Sequence, residues 1–191
     1  MAKAPGAGSV KTRLRPFLTG EQCASLATCF LKDAVSNAVK AVPNVIVALS
    51  PADGRAEIES LLGREIALVE QKGNDLGERL ASAVMHAERL GFSPIIAIGT
   101  DSPTLPPSFL TNTIESFRES DTDIVLGGTR DGGYYLIGLR KMTPGIFDGV
   151  SWSSEHVYRE TLENAKRIGL SNRVDLPIWH DVDVPAVLVA L

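Results

Sequence analysis

Apolar positions along the chain fall into two repeating patterns, one helical and one of short unbroken runs. Leu26, Ala27, Phe30, Leu31, Ala34, Val35, Ala38 and Val39 recur at helical spacing, which predicts a helix from a Thr19/Gln22 capping box to Pro43. Residues 45–49 form a short apolar run, read as a strand. Asp53 is expected to cap a helix that reaches about Leu62 and closes at Gly63, and residues 66–69 give the next strand. Leu76, Leu80, Ala83, Val84, Ala87 and Leu90 mark one face of a helix ended by Gly91. Ile95-Ile96-Ala97-Ile98, bounded by Pro94 and Gly99, reads as a buried strand of a parallel sheet, dry on both faces. Beyond it the pattern predicts a helix over 107–119, a strand over 124–126, a turn at Asp131-Gly132-Gly133 and a strand over 134–139. A helix through Ile168, capped by Ser153 or Ser154 with Glu155 in its first turn, leads to a strand over 174–176 and a last helix that takes Pro185 into its first turn.

Strands alternating with helices over the first two thirds argue for a doubly wound α/β sheet. The later strands break strict alternation, so the expected fold is a three-layer α/β/α domain with a mostly parallel, mixed sheet. No linker is visible, and residues 1–191 are read as one domain. Open sheets of this kind place ligands at the carboxyl ends of their strands. Asp101 stands there, in Gly99-Thr100-Asp101-Ser102-Pro103. A carboxylate in such a place needs a partner, and a divalent cation is a natural one, since Mg²⁺ takes one or two carboxylates plus substrate phosphates. The competing role, an N-cap, fits less well, because the proline-rich gap before Phe109 puts Asp101 too early for the following helix.

Composition narrows the classes. Hydrophobic residues make up 44% and charged residues 22% of the chain, ordinary for a globular protein. A net charge of −4 gives no polyanion-binding surface and argues against nucleic acid as partner, but leaves room for a local basic pocket. Cys23 and Cys29 lie six apart on a predicted helix and turn to different faces, so they are expected to be buried, unpaired thiols of a reducing cytoplasm. No apolar run approaches the roughly 20 residues of a membrane span, no signal peptide is expected before the fold, and no repeat of fixed period is present.

Residues 1–14 read as a loop of small residues carrying three cations. Glycine lets backbone amides come close to an anion. Lys11 and Arg13, two apart, share a face if the segment is extended, and Arg grips phosphate bidentately where Lys acts as a point charge. The Gly-Lys-Ser/Thr ending of a Walker loop is absent. A flexible, solvated segment is the bland alternative.

These pieces together resemble a family. Lys3-Ala4-Pro5 with Gly8, Val10-Lys11-Thr12-Arg13-Leu14, Gln71 to Arg79, Gly99 to Pro103, Asp131-Gly132-Gly133-Tyr134, Ser151-Trp152-Ser153 and Asp181-Val182-Asp183 are similar to a bacterial family with the GT-A, nucleotide-diphospho-sugar transferase fold. Its members are often labelled glycosyltransferases, some associated with arsenosugar biosynthesis. The family resembles the molybdenum-cofactor guanylyltransferase and phospholactate guanylyltransferase groups. The likeness implies that Ala4, Pro5, Gly6 and Gly8 cradle a nucleotide's phosphates with Lys11 and Arg13 opposing their charge, and that Gln71 and Gly73 lie near the base. It implies that Asp101 binds the metal, Mg²⁺ or Mn²⁺, with Asp183 as second ligand. An N-cap before Pro185 is the competing and compatible role for Asp183. It places Asp131, Gly133, Tyr134 and Trp152 on the acceptor side. A hairpin turn for Asp131-Gly132 and a core position for Trp152 are the structural alternatives. His180 beside Asp181 can serve as a base or as hydrogen-bonded structure.

The sequence departs from the family at Ala7, where a second Pro is usual, and at Val184-Pro185-Ala186-Val187-Leu188, where Thr-Pro-Glu-Asp-Leu is usual. It also lacks the apolar strand that relatives carry before Ala2. That is expected to reflect a misassigned start or a truncation, and an in-frame upstream stretch encoding four to six apolar residues would show it. The resulting expectation is a cytoplasmic, metal-dependent transferase using a nucleotide or nucleotide-sugar and a small acceptor. Glycosyl transfer leads, nucleotidyl transfer with release of pyrophosphate follows, and a non-catalytic nucleotide-binding protein is the rival from another class.

Overall fold

A computed structural model describes residues 1–15, 17–63 and 65–189. The chain divides into two compact units. Unit 1 comprises Met1–Gln71, Gly99–Leu105 and Asp181–Leu191; unit 2 comprises Lys72–Ile98 and Pro106–His180.

Unit 1 is built on three parallel strands, β1 (Ala2–Lys3), β2 (Ile46–Ser50) and β3 (Ala67–Glu70), in that order. Ala2 pairs with Leu49, and Val47 with Leu68. Helix α1 (Gly20–Ala41) starts at the expected capping box: Thr19 N donates to Gln22 Oε1 at 2.8 Å and Gln22 N to Thr19 Oγ1 at 3.2 Å. Helix α2 (Arg55–Leu62) follows a 3₁₀ turn at Ala52–Gly54. Ala2, Ala4, Leu31, Val47, Leu49 and Ile58 form one buried cluster, so the loop after β1 grows directly out of the core. Because the 3₁₀ turn comes first, the cap position of α2 falls on Gly54, and Asp53 does not cap it as expected.

Unit 2 carries helix α3 (Leu76–Arg89), β4 (Ile95–Ile98), α4 (Pro107–Glu119), β5 (Ile124–Thr129), β6 (Tyr134–Leu139), α5 (Val157–Arg167) and β7 (Arg173–Trp179). The sheet order is β4-β6-β5-β7. β5 and β7 are parallel; β6 runs antiparallel to both β4 and β5. β4 and β5 therefore keep the parallel sense that the crossover through α4 requires, but β6 inserts between them. The expectation that β4 is a strand of a parallel sheet, dry on both faces, is thus corrected. It is an edge strand of half-buried residues paired antiparallel, because the tight turn at 130–133 reverses the chain into the slot beside it. β5 is buried throughout and β6 is buried after Tyr134; Ile124, Val125, Leu126 and Leu136 are inaccessible to solvent. The predicted mixed α/β architecture holds, with its antiparallel strand where the alternation broke down.

Three further expectations are corrected. Helix α5 begins at Val157 with no side-chain cap, because Ser154 Oγ is engaged in a local turn, donating to Ser151 O at 2.6 Å and accepting from His156 N at 3.2 Å. Cys23 is buried as expected but Cys29 is exposed; six residues of helix rotate it to the solvent side. The last strand, β7, extends to Trp179. Among the described residues no helix is long and apolar enough to cross a membrane. The last helix, α6 (Pro185–Leu188), has Pro185 in its first turn as predicted.

The close approach of Gly54 to β1 can be tested. A Cβ at position 54 would stand 2.2 Å from the Ala4 Cβ. Gly54→Ala should therefore cost about 1–3 kcal/mol by overpacking and lower the melting temperature; an unchanged melting temperature would contradict the packing described.

Candidate functional site

The candidate site lies in unit 1 and is assembled from three stretches of chain. The first is the loop after β1. Ala4 N donates to Ser50 O at 2.9 Å, which continues the β1–β2 pairing by one bond and fixes the loop's start. The chain then turns, with Gly6 N on Ala4 O at 2.8 Å and Ser9 N on Gly6 O at 3.1 Å. Ser9 Oγ also reaches Gly6 O at 2.8 Å, and Lys3 Nζ bonds Ser9 O at 2.7 Å. Ala4 and Pro5 are buried, Gly6 is half-buried, and Gly8 is exposed. The amides of Ala7 and Gly8 donate to no other described residue.

The loop ends at Lys11, whose backbone is left-handed (φ 48°, ψ 38°) although it is not glycine. That conformation costs about 1 kcal/mol. It is held by the 3₁₀ turn Thr12–Leu14, which anchors through the inaccessible Leu14. Leu14 N donates to Lys11 O at 2.9 Å, and the buried Cys23 thiol contacts the same oxygen at 3.5 Å. Lys11 and Arg13 therefore do not share an extended face: the left-handed residue and the turn separate them. The Arg13 side chain is exposed and has no partner among the described residues.

The second stretch is Gly99–Leu105 and the third runs from Asp181. They are tied together twice: Val182 N donates to Asp101 O at 2.8 Å, and Ser102 Oγ bonds Asp181 Oδ1. Both supply a carboxylate to Lys11. Its Nζ lies 2.5 Å from Asp101 Oδ1 and 2.8 Å from Asp183 Oδ1, donates to Val182 O at 3.0 Å, and sits 5.1 Å from the centroid of the Phe30 ring. The lysine side chain is 5% exposed, while those of Asp101 and Asp183 are 48% and 38% exposed. Lys11 thus bridges two carboxylates that remain open to solvent, and the buried Met1 amino group interacts electrostatically with Asp101 as well. Neither acid caps a helix. The cap positions of α4 and α6 fall on Pro106 and Val184, neither with a side-chain cap bond.

Gln71 lies at the strand ends in unit 1. Its Nε2 donates to Ala2 O at 3.0 Å and Ala48 O at 2.8 Å, and its backbone N to Leu49 O at 2.9 Å. The side chain expected near a base therefore spends its amide protons tying β1 to β2. Gly73 belongs to unit 2, where it precedes the Asp75 cap of α3 and its carbonyl accepts from Arg79 Nε at 3.0 Å. Sequence reasoning missed Ser102, Phe30 and the Val182 carbonyl. Only the alternation Asp181-Val182-Asp183 hinted that a short extended segment joins the site.

The residues expected on the acceptor side all lie in unit 2. Asp131 organises the turn before β6, accepting from Thr129 Oγ1 at 2.6 Å and from Gly133 N at 3.3 Å. Trp152 is half-buried, packs edge-on to Tyr134 with ring centroids 6.4 Å apart and lies 6.2 Å from Phe147. It rests on Gly77, where a Cβ would stand 2.8 Å from its ring. The Tyr134 and Thr161 hydroxyls are buried, and among the described residues neither meets a partner in hydrogen-bond geometry. Burial raises the Tyr134 hydroxyl well above the ordinary phenol range, though nearby Thr161 opposes the shift. His180 stacks on Trp179 with centroids 5.1 Å apart.

Comparison with known proteins gives a consistent fold. Residues 31–154 match the family described as "Uncharacterized protein conserved in bacteria (DUF2064)". The crystal structure of a "putative nucleotide-diphospho-sugar transferase" from Desulfovibrio desulfuricans G20 is 32% identical, with a TM-score of 0.89 over 96% of this chain and 80% of that one. A CMP:2-keto-3-deoxy-manno-octonic acid synthetase complexed with CTP superposes with a TM-score of 0.61 at 12% identity, over 84% of this chain and 85% of that one. Molybdopterin-guanine dinucleotide biosynthesis protein A from Archaeoglobus fulgidus does so with 0.58 at 13%, over 100% and 96%. At such identities the last two speak to fold alone. No curated protein matches the sequence.

The contrast between two neighbouring tyrosines is measurable. Tyr134→Phe removes a buried hydroxyl that meets no partner in hydrogen-bond geometry among the described residues and should leave stability unchanged or slightly raised. Tyr135→Phe removes the bond its hydroxyl donates to Pro177 O at 3.0 Å and should cost about 1 kcal/mol. Urea unfolding at pH 7 reads both. Equal losses in the two variants would contradict the assignment.

Proposed function

The chain belongs to the bacterial family DUF2064, and we propose that it is a metal-dependent transferase using a nucleotide-activated donor, with glycosyl transfer from a nucleotide-diphospho-sugar as its leading reaction. One observation carries the reading. Asp101 and Asp183 converge on a single point at the end of a loop whose Ala7 and Gly8 amides and Arg13 guanidinium are unengaged among the described residues.

The two acids fit a hard divalent cation. Both are oxygen donors, both come within 3 Å of one point now held by the Lys11 ammonium (2.5 and 2.8 Å), and both are open to solvent. Among the described residues no group of three or more His, Cys, Asp or Glu gathers. The protein's share is then two carboxylates, with water and phosphate completing the shell, which is the habit of Mg²⁺ and Mn²⁺. Asp101 and Asp183 would hold the ion, which when bound supplies positive charge against the donor's diphosphate.

The chain's own groups do the rest. The loop 4–11 offers amides to phosphate oxygens. Arg13 adds a charged fork, and Lys11 a point charge. Gln71 keeps β1 and β2 together beneath that loop. In unit 2, Trp152 offers an acceptor a half-exposed ring seated on Gly77, and Asp131 and Gly133 shape the turn that leads to Tyr134. In glycosyl transfer an acceptor oxygen attacks the anomeric carbon, and the bond to the diphosphate breaks with its electron pair leaving on the nucleotide. Nucleotidyl transfer is the second reading, favoured by the two cations Lys11 and Arg13 on one loop. There an acceptor oxygen attacks the α-phosphorus and pyrophosphate leaves.

A thermal-shift panel of nucleotides and nucleotide-sugars with Mn²⁺ should raise the melting temperature for at least one donor. Product analysis on that donor should show a nucleoside diphosphate for the leading reaction or pyrophosphate for the second. Asp101→Asn should lower turnover by about 100-fold or more while its melting temperature stays near that of the parent. Undiminished turnover in Asp101→Asn would remove the acid from the mechanism.

A further inference from the structure

The position of Lys11 has a consequence beyond the binding of a donor. The two acids come from chain segments about 80 residues apart, and their carboxylates converge on the lysine. The lysine is the most enclosed of the three partners, and its ammonium meets Asp101, Asp183, the Val182 carbonyl and the Phe30 ring. The point where the carboxylates converge is therefore already held by a cation that the chain itself supplies. Two cations cannot share it, since like charges about 4 Å apart repel strongly away from bulk water.

We propose that Lys11 is the resident counter-ion of the Asp101–Asp183 pair and that a divalent cation enters by exchange against it. This rests on the metal reading given above and specifies how that site is regulated. Exchange frees the ammonium from Asp101, Asp183 and Val182 O. It then leaves the pair on the strained left-handed residue that ends the phosphate loop, where the freed charge is available to an anion. Metal and an anionic donor then assist each other, because each binds better once the other has drawn Lys11 away or replaced its charge. The metal alone is held weakly, since it must displace a paired lysine. An ion arriving with phosphates offers the lysine a new partner at the same moment. The arrangement also explains a polar choice at a nearly enclosed position. A Met at residue 11 would fill the same space beside Phe30 but would leave the two acids without the charge that bridges them.

The test uses Mn²⁺ alone as the probe, counted by the electron paramagnetic resonance of the free ion, with the parent protein, Lys11→Met, Asp101→Asn and the double variant. Removing the competing charge should tighten Mn²⁺ binding by about tenfold or more in Lys11→Met, and Asp101→Asn in that background should abolish the gain. If the parent binds Mn²⁺ through Asp101 but Lys11→Met binds no more tightly, exchange is wrong and the metal site survives. If no variant binds Mn²⁺ up to millimolar concentration, the metal reading falls and exchange with it. A second measurement needs no substitution. Acetylation of the parent protein, followed by mass spectrometry, should show Lys11 reacting faster in saturating Mn²⁺, with the exposed Lys32 and Lys141 as internal references. An unchanged Lys11 rate under Mn²⁺ that is demonstrably bound would also overturn exchange.

Discussion

An ammonium group with almost no access to water must be matched by negative charge, and this requirement organises unit 1 around Lys11. An uncompensated buried charge costs several kcal/mol, so both Asp101 and Asp183 are drawn to it. Their convergence joins three distant parts of the chain. The bond from Val182 N to Asp101 O and that between Ser102 and Asp181 hold the second and third stretches in register. The carboxylates keep a solvent-facing side, which is what distinguishes this arrangement from a structural ion pair sealed in a core.

The loop that carries Lys11 is fixed at both ends by ordinary packing and by hydrogen bonds. At its start, β1 is only two residues long, yet Ala2 and Ala4 are buried in the same cluster as Leu49 and Ile58. Gly54 lets its own 3₁₀ turn press against Ala4, and Gln71 bridges the carbonyls of β1 and β2. At its end, Leu14 and the Cys23 thiol close over Lys11 O, and the Thr19 capping box starts α1 immediately afterwards. The left-handed backbone at Lys11 is sustained by these contacts. Its side chain is delivered inward, while that of Arg13, two residues on, is exposed.

Much of this was legible in the residues. Helix α1, with its capping box, and helix α4 appear where periodicity and Pro107 put them, as does β6, because strong local signals and tertiary packing agree there. The Asp101 and Lys11 segments were identified as chemistry, and the structure brings them within hydrogen-bonding distance. Other features depend on relations that spacing does not encode. The antiparallel pairing of β4 follows from where β6 inserts, a question of which strand fills a slot. The role of Gln71 as a brace depends on carbonyls at residues 2 and 48 that are neighbours only in the fold. Ser154 looked like a helix cap, and the same hydroxyl chemistry satisfied a turn one step earlier. That Lys11 meets the acids, where an anion had been expected, could not be read from sequence. The left-handed turn that aims it is set by packing around Leu14.

The measurement that bears most directly on the central claim is anomalous scattering from crystals of this protein equilibrated with Mn²⁺. The account predicts one manganese peak coordinated by Asp101 and Asp183, with the Lys11 ammonium displaced from between them. Crystals saturated with Mn²⁺ in which the Lys11 ion pairs are intact and the manganese lies elsewhere would contradict it.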